Sequence, residues 1–190
     1  LLSLIALLVP VGIFAVLGAI RSQAADIPPI HDIATDTANP PVFSQTVLDQ
    51  RAAAGANPLN DYTTPLGELE MWSESEPPLA DRSHAQVIAA AYPDLAPLPL
   101  GSTSPAEAAE LVVSAMEEMG FDQVTADAET GRIEGVAETF WFGFKDDMVV
   151  RIADGAIDFR SVSRVGVSDL GANAARIAAL RDAIAERLNR

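Results

Sequence analysis

Proline placement divides this chain. Eleven of its 13 prolines lie between residues 26 and 99, and six of those form the pairs Pro28-Pro29, Pro40-Pro41 and Pro77-Pro78. Proline fixes φ and lacks an N–H, so a pair forbids helix interior and central strand. The residue before each proline is pushed to extended backbone. Residues 22–103 are therefore expected to form a proline-rich extended arm, with regular structure following it. Apolar residues punctuate that arm at Ile27, Ile30, Ile33, Val42, Phe43, Leu48, Leu66, Leu69, Met71 and Trp72. A free linker is more uniformly polar, so the arm is expected to be ordered and docked on the domain or on a partner. Residues 86–91 suit either a short strand or a helix.

The first 20 residues are of another kind. They carry no charge, and Ser3 is their only polar side chain. Twenty helical residues span roughly 30 Å, the hydrocarbon thickness of a bilayer. A secretory signal has a shorter apolar region, about 7–15 residues, after a basic stretch. Ser22-Gln23-Ala24 could pass as a cleavage site, but nothing basic precedes the run. The reading adopted is a retained transmembrane helix over 1–21, a truncated or last span that tolerates Pro10 and Gly12. Arg21 is the only basic residue near its exit, and cytoplasmic flanks are usually rich in Lys and Arg. The polar remainder is therefore expected on the periplasmic side of a bacterial inner membrane, or in an equivalent thylakoid lumen.

This division accounts for a conflict in composition. The 190-residue chain has a formal net charge of −15, yet its mean hydropathy is +0.19. The acidity is itself uneven: residues 61–138 hold 16 acids and 2 bases. Such a balance argues against nucleic acid, whose phosphates need clustered Lys and Arg. Cys is absent, which excludes disulfides, thiolate metal sites and a cysteine nucleophile. The expected partners are the bilayer, through residues 1–20, and a membrane protein. No cofactor is implied.

Beyond residue 103 the signals become regular. Ser104-Pro105-Ala106-Glu107 places a capping Ser, a first-turn Pro and a Glu three residues on. Leu111, Val112, Ala115, Met116 and Met119 then line one helical face, and Gly120 stops it. Strands are predicted at 121–128, 132–144, 148–153 and 156–162. Turns are expected at Glu129-Thr130-Gly131, Lys145-Asp146-Asp147 and Asp154-Gly155. A second helix, capped by Ser168 or Asp169, is expected over 169–188. Short connections mean an antiparallel meander. The expected domain, 104–190, is an α+β two-layer sandwich: a four-stranded meander flanked by two helices on one face.

Several of these segments resemble one known family. Its entry motif is resembled by Asp26-Ile27-Pro28-Pro29-Ile30-His31-Asp32-Ile33, with Thr35-Asp36 and Asn39-Pro40-Pro41-Val42-Phe43. Tyr92-Pro93-Asp94 is similar to a middle landmark. Phe140-Trp141-Phe142-Gly143-Phe144-Lys145-Asp146-Asp147 resembles its strand-turn motif. The closing motif is resembled by residues 158–166 and by Ser168-Asp169-Leu170-Gly171-Ala172-Asn173-Ala174. The family is the domain of unknown function 1499, and order and spacing hold over 26–188. The resemblance implies a bacterial or plastid protein, often membrane-anchored, with no established reaction and no catalytic residues to carry over.

Candidate chemistry is sparse. His31-Asp32, with Asp36, could form a general base or bind a metal. Neighbours in extended backbone point opposite ways, however, and pinning the arm is the simpler role. Asp146 and Asp147 could bind a divalent cation, although turn chemistry alone accounts for Asp there. Arg160, Ser163, Arg164 and Ser168 lie between a strand and a helix start, where an anion could bind. Capping, with Arg164 paired to Asp169, accounts for the same residues. Trp141 and Trp72 are candidate partner contacts, Trp141 on the assumption that Phe140, Phe142 and Phe144 enter the core. The function expected is a non-enzymatic interaction or accessory subunit of a membrane-protein assembly. The alternatives are a hydrolase-like or metal-assisted enzyme using His31/Asp32, and a small-anion or lipid-binding module.

Overall fold

The computed structural model describes residues 27–139 and 143–188. The transmembrane helix expected over 1–21, and Trp141, lie outside the described residues. Among the described residues no helix is long and apolar enough to cross a membrane.

The regular half forms largely as its sequence dictates. Helix α3 (Pro105–Glu118) starts at a full capping box between Ser104 and Glu107. It ends before Gly120, at φ 79°. Strands β3 (Asp122–Asp127), β4 (Arg132–Glu138), β5 (Lys145–Ala153) and β6 (Ala156–Ser163) make the antiparallel meander. Asp154 and Gly155 join β5 to β6 with φ of 51° and 77°, the doubly left-handed turn that suits the twist of a hairpin. Helix α4 (Ala172–Leu188) closes the chain. Its first turn is capped by Asp169, whose carboxylate accepts from the Asn173 N–H at 2.9 Å.

The sheet is larger than the expected four strands. With β1 (Asp32–Ala34) at one edge its order is β1-β6-β5-β4-β3, and a short β2 (Leu98–Pro99) also pairs with β6. Strands β1 and β2 both come from the proline-rich stretch. With three and two residues they show no periodicity, and Pro99 is tolerated because it lies on the sheet edge. That stretch is also not extended throughout. It contains α1 (Gln45–Ala53), α2 (His84–Ala91) and 3-10 turns at Leu66–Glu68 and Glu70–Trp72. The prolines stand between these elements, so they set boundaries without breaking helices. Residues 86–91 are helical because Ser83 and Gln86 form a second capping box.

Two further expectations fail at the β4–β5 connection. Strand β4 ends at Glu138, and Phe144 is 51% exposed and outside the core. Lys145-Asp146-Asp147 is no turn, because it opens β5 and pairs with β4 and β6.

Strand alternation gives the sheet two buried faces. Ile33, Ile133, Met148, Val150, Ile152, Ile157 and Phe159 share the main core with Val112 and Met116 of α3 and with Ile177, Leu180 and Ile184 of α4. The opposite face is covered by residues 35–60, with Phe43 packed on Val149 and Val162. Between these layers lie charged side chains from the strands. The architecture is therefore helices, sheet and a partly helical cover, with a polar seam under the cover.

One turn in this frame leaves no room for change. Gly131 has φ 66°, and a Cβ there would stand 2.4 Å from the Ile152 carbonyl oxygen. Gly131→Ala is expected to cost at least about 1–2 kcal/mol from the left-handed backbone alone, with the clash added. A lowered urea midpoint at unchanged slope would register it.

Candidate functional site

Strand register brings the first motif to the closing one. Asp32 pairs with Val162 across the sheet edge, and Ala34 pairs with Arg160. Asp32 and Arg160 thereby share the covered face. Arg160 donates to both Asp32 carboxylate oxygens, Nε at 2.9 Å and Nη2 at 2.7 Å. Tyr62 donates its hydroxyl to Oδ1 at 2.5 Å, and the Asn60 N–H reaches Oδ2 at 3.3 Å. The Arg160 guanidinium also donates to the Pro41 carbonyl at 3.2 Å and lies 5.1 Å from the centre of the Tyr62 ring. Burial alone would push the Asp32 carboxyl up; the Arg160 charge, with the hydrogen bonds from Arg160, Tyr62 and Asn60, outweighs it and holds the group below its usual range. Burial, reinforced by the Asp32 charge, pushes the Tyr62 hydroxyl well up.

Two histidines lie beside this pair, and an indole holds them. His31 stacks on Trp72 with ring centres 5.5 Å apart and planes 5° apart. His84 meets the same indole edge-on at 4.9 Å. Trp72 is anchored by its Nε1–H, which donates to the Pro29 carbonyl at 2.7 Å. Both histidines are fully buried. Burial lowers the His31 pKa against the opposing pull of Asp32 and of the Val167 and Pro58 carbonyls. Burial also lowers His84 to about 4, helped by the His31 and Arg160 charges. His31 Nε2 and His84 Nδ1 make no hydrogen bond of sound geometry, which suits neutral rings among aromatic neighbours.

A second polar cluster occupies the other end of the seam. Asp147, 1% exposed, receives Arg51 at 2.5 Å and Arg164 at 2.7 Å. Arg51 also donates to the Asn57 carbonyl at 2.8 Å. On the helix side of the sheet, Asp146 pairs with Arg176 at 2.7 Å. Arg176 continues to Asn173 Oδ1 at 2.7 Å, and the Asn173 amide donates to Ser163 Oγ at 2.9 Å and to the His31 carbonyl at 3.1 Å. Asn173 thus ties α4 to both β1 and β6.

The candidate residues are therefore engaged by the protein itself. His31 and Asp32 are together, but Asp36 is apart from them, pairing with Arg151 at 3.1 Å. Asp146 and Asp147 point to opposite faces and each has an arginine. Among the described residues no group of three His, Cys, Asp or Glu side chains is placed to hold a metal ion. Of the four anion candidates, Arg160 is held by Asp32 and Arg164 by Asp147, not by the expected Asp169. Ser163 is held by Asn173, and Ser168 Oγ accepts from the Leu170 N–H at 3.2 Å. Trp72 is 2% exposed, so it is a core residue and offers no surface to a partner. Tyr62, Asn60, Arg51 and Arg176 were not foreseen, since only the fold brings them to the motif residues; Asn173 stood in the closing motif, but without an assigned role.

Two cavities among the described residues lie elsewhere. One of about 290 Å³ runs between α1 and β3–β4, lined by Ser44, Gln50, Thr125 and Arg132. Another, of about 550 Å³, is lined by Ile27, Tyr92, Leu95, Leu170 and the start of α4. Neither is lined by His31, Asp32, Tyr62, His84 or Arg160.

No curated protein matches the chain. Residues 32–184, from β1 into the last turns of α4, match the family described as a protein of unknown function, DUF1499, and the chain belongs to that family.

Proposed function

We propose that this chain is a membrane-anchored, extracytoplasmic domain that serves as a non-enzymatic interaction or accessory subunit of a membrane-protein assembly. The observation that carries the reading is the closure of its polar residues. A general base must reach the proton that it removes. His31, Asp32 and His84 are all 0% exposed, and both Asp32 oxygens already accept from Arg160, Tyr62 and Asn60. Such a network specifies one packing of the cover on the sheet, which suits a rigid module better than a reactive centre. The anchor follows from the uncharged run at residues 1–20. The placement outside the cytoplasm follows from the single Arg21 after it.

The test is isolation of the tagged chain from its native membranes in mild detergent. A defined polypeptide should accompany it at fixed stoichiometry through size exclusion and survive a salt wash. A strictly monomeric chain under those conditions would remove the accessory-subunit reading.

A further inference from the structure

Among the described residues six large apolar side chains are exposed: Val42, Met119, Phe144, Val165, Val167 and Leu170. Exposed apolar residues scattered singly need no explanation. Four of these six are not scattered. Arg164 and Lys145 are joined by a backbone hydrogen bond of 2.9 Å, so Val165 and Phe144 stand just beyond the last pairing of β6 with β5. The loop then runs back along the entering chain, where the Val167 carbonyl faces His31 at 3.4 Å and the Asp169 N–H donates to the Ile30 carbonyl at 3.3 Å. At Gly171 the Ile27 side chain is the nearest neighbour, about 3.6 Å from where a Cβ would be. Phe144, Val165, Val167 and Leu170 therefore surround one end of the domain, the end at which the chain arrives from residues 1–26.

Leu170 adds an independent observation. Its φ is 53°, a left-handed conformation that costs a non-glycine residue roughly 1–2 kcal/mol. Its side chain is nevertheless 67% exposed, so packing within the domain does not offset that cost. The loop holds a leucine outward under strain.

We infer that this end of the domain rests on the bilayer surface, with Val165, Val167 and Leu170 immersed at the headgroup–acyl boundary and Phe144 beside them. The inference rests on the anchor reading above. Residues 21–26 separate the uncharged run from Ile27, and that length of chain reaches no more than about 25 Å when fully extended. A bilayer that holds residues 1–20 is consequently within that distance of Ile27. Aliphatic and aromatic side chains gain by entering the interfacial layer, and a few suffice to orient a domain that is already tethered. Strand β5, nine residues long, puts the opposite end of the sheet about 30 Å away. Glu129, in the β3–β4 turn, is exposed at that far end.

The absence of Cys allows single-site labelling. Val167→Cys, Leu170→Cys and Glu129→Cys would each carry an environment-sensitive fluorophore in the full chain, reconstituted into phosphatidylcholine vesicles containing brominated lipid. Labels at 167 and 170 should shift to shorter wavelength and lose at least half their intensity to the bromines. The label at 129 should do neither. If the chain floats with the vesicles through a urea wash while labels 167 and 170 behave like label 129, the docking inference is overturned and the anchor stands. Burial of both labels without quenching by lipid points to a protein partner or a second copy, and also overturns it. If the chain does not float, the anchor reading itself fails and the inference falls with it.

Discussion

Arg160→Met is expected to destabilise the folded domain by about 3–5 kcal/mol, the usual cost of leaving one member of a buried ion pair without its partner. Asp32 is fully buried, and Arg160 is 4% exposed. Removing the guanidinium leaves the carboxylate with only Tyr62 and the Asn60 N–H. A loss of that size would take much of the stability of an ordinary domain. The double variant Asp32→Leu/Arg160→Met should recover most of it, because the charge that suffers is gone as well. Urea unfolding of the wild type, both single variants and the double variant completes the cycle. Additive losses would show that the two residues do not act as a pair. The single variant carries a second signature. With Arg160 absent, only the hydrogen bonds from Tyr62 and Asn60 oppose burial, and the Asp32 pKa rises. The penalty of Arg160→Met should therefore shrink as pH falls and the carboxyl takes up a proton.

The histidines give the second large effect. His84 is held at about 4 by burial, whereas an unfolded chain leaves His near 6.5. Between those two values the unfolded state binds a proton that the native state does not. Stability is then highest above about pH 6.5 and declines as pH falls towards 4. The shift corresponds to about 3 kcal/mol for His84, and His31, lowered for the same reason, adds to it in the same direction. The folded pKa of Asp32 lies below the ordinary 3.8, so the stability it contributes is intact across this range and is lost only as pH falls below that value. Unfolding midpoints measured from pH 7.5 down to 4.5 should fall steeply for the wild type and much less for His84→Phe. A flat profile in the wild type would show that the rings are not buried neutral. Trp72 contacts both imidazoles, so its fluorescence follows the same transition.

These two predictions depend on contacts that the sequence announces only in part. Helix α3 was legible from its cap, most of its stripe and its stop, all of them local; Met119, expected in the stripe, lies past the helix end and is 39% exposed. The order of the meander was legible too, since short connections leave few topologies, but the β4–β5 connection was misplaced, because Lys145-Asp146-Asp147 opens β5. The sheet edge was not legible. Three residues of β1 carry no pattern, and their place beside β6 is set by hydrogen bonds to residues about 128 positions later. The proline-rich stretch misled for a related reason. Proline is excluded from a helix interior, yet α1 and α2 fit between prolines, each started by a serine cap. The polar seam was legible as motif residues but not as pairs. Asp147 and Arg164 both stood out, yet the partner expected for Arg164 was the nearby Asp169. Strand pairing instead set Arg164 on the same face as Asp147. Trp72 was legible as an apolar docking residue of the arm but not as core rather than partner contact, because a tryptophan among prolines and glutamates has no periodic context.

The pairing of β1 with β6 also governs when this domain can form. Asp32 and Arg160 are 128 positions apart, and a ribosome adds about 5–20 residues per second. For roughly 6–25 s after Asp32 emerges, the carboxylate, His31 and the apolar cover over residues 35–60 have no β6 to close against. Loop-closure entropy is met before any of these contacts is returned. A chain delivered across a membrane in that interval travels with its first strand unpaired, so the last strand to be made completes the sheet edge at which the first enters.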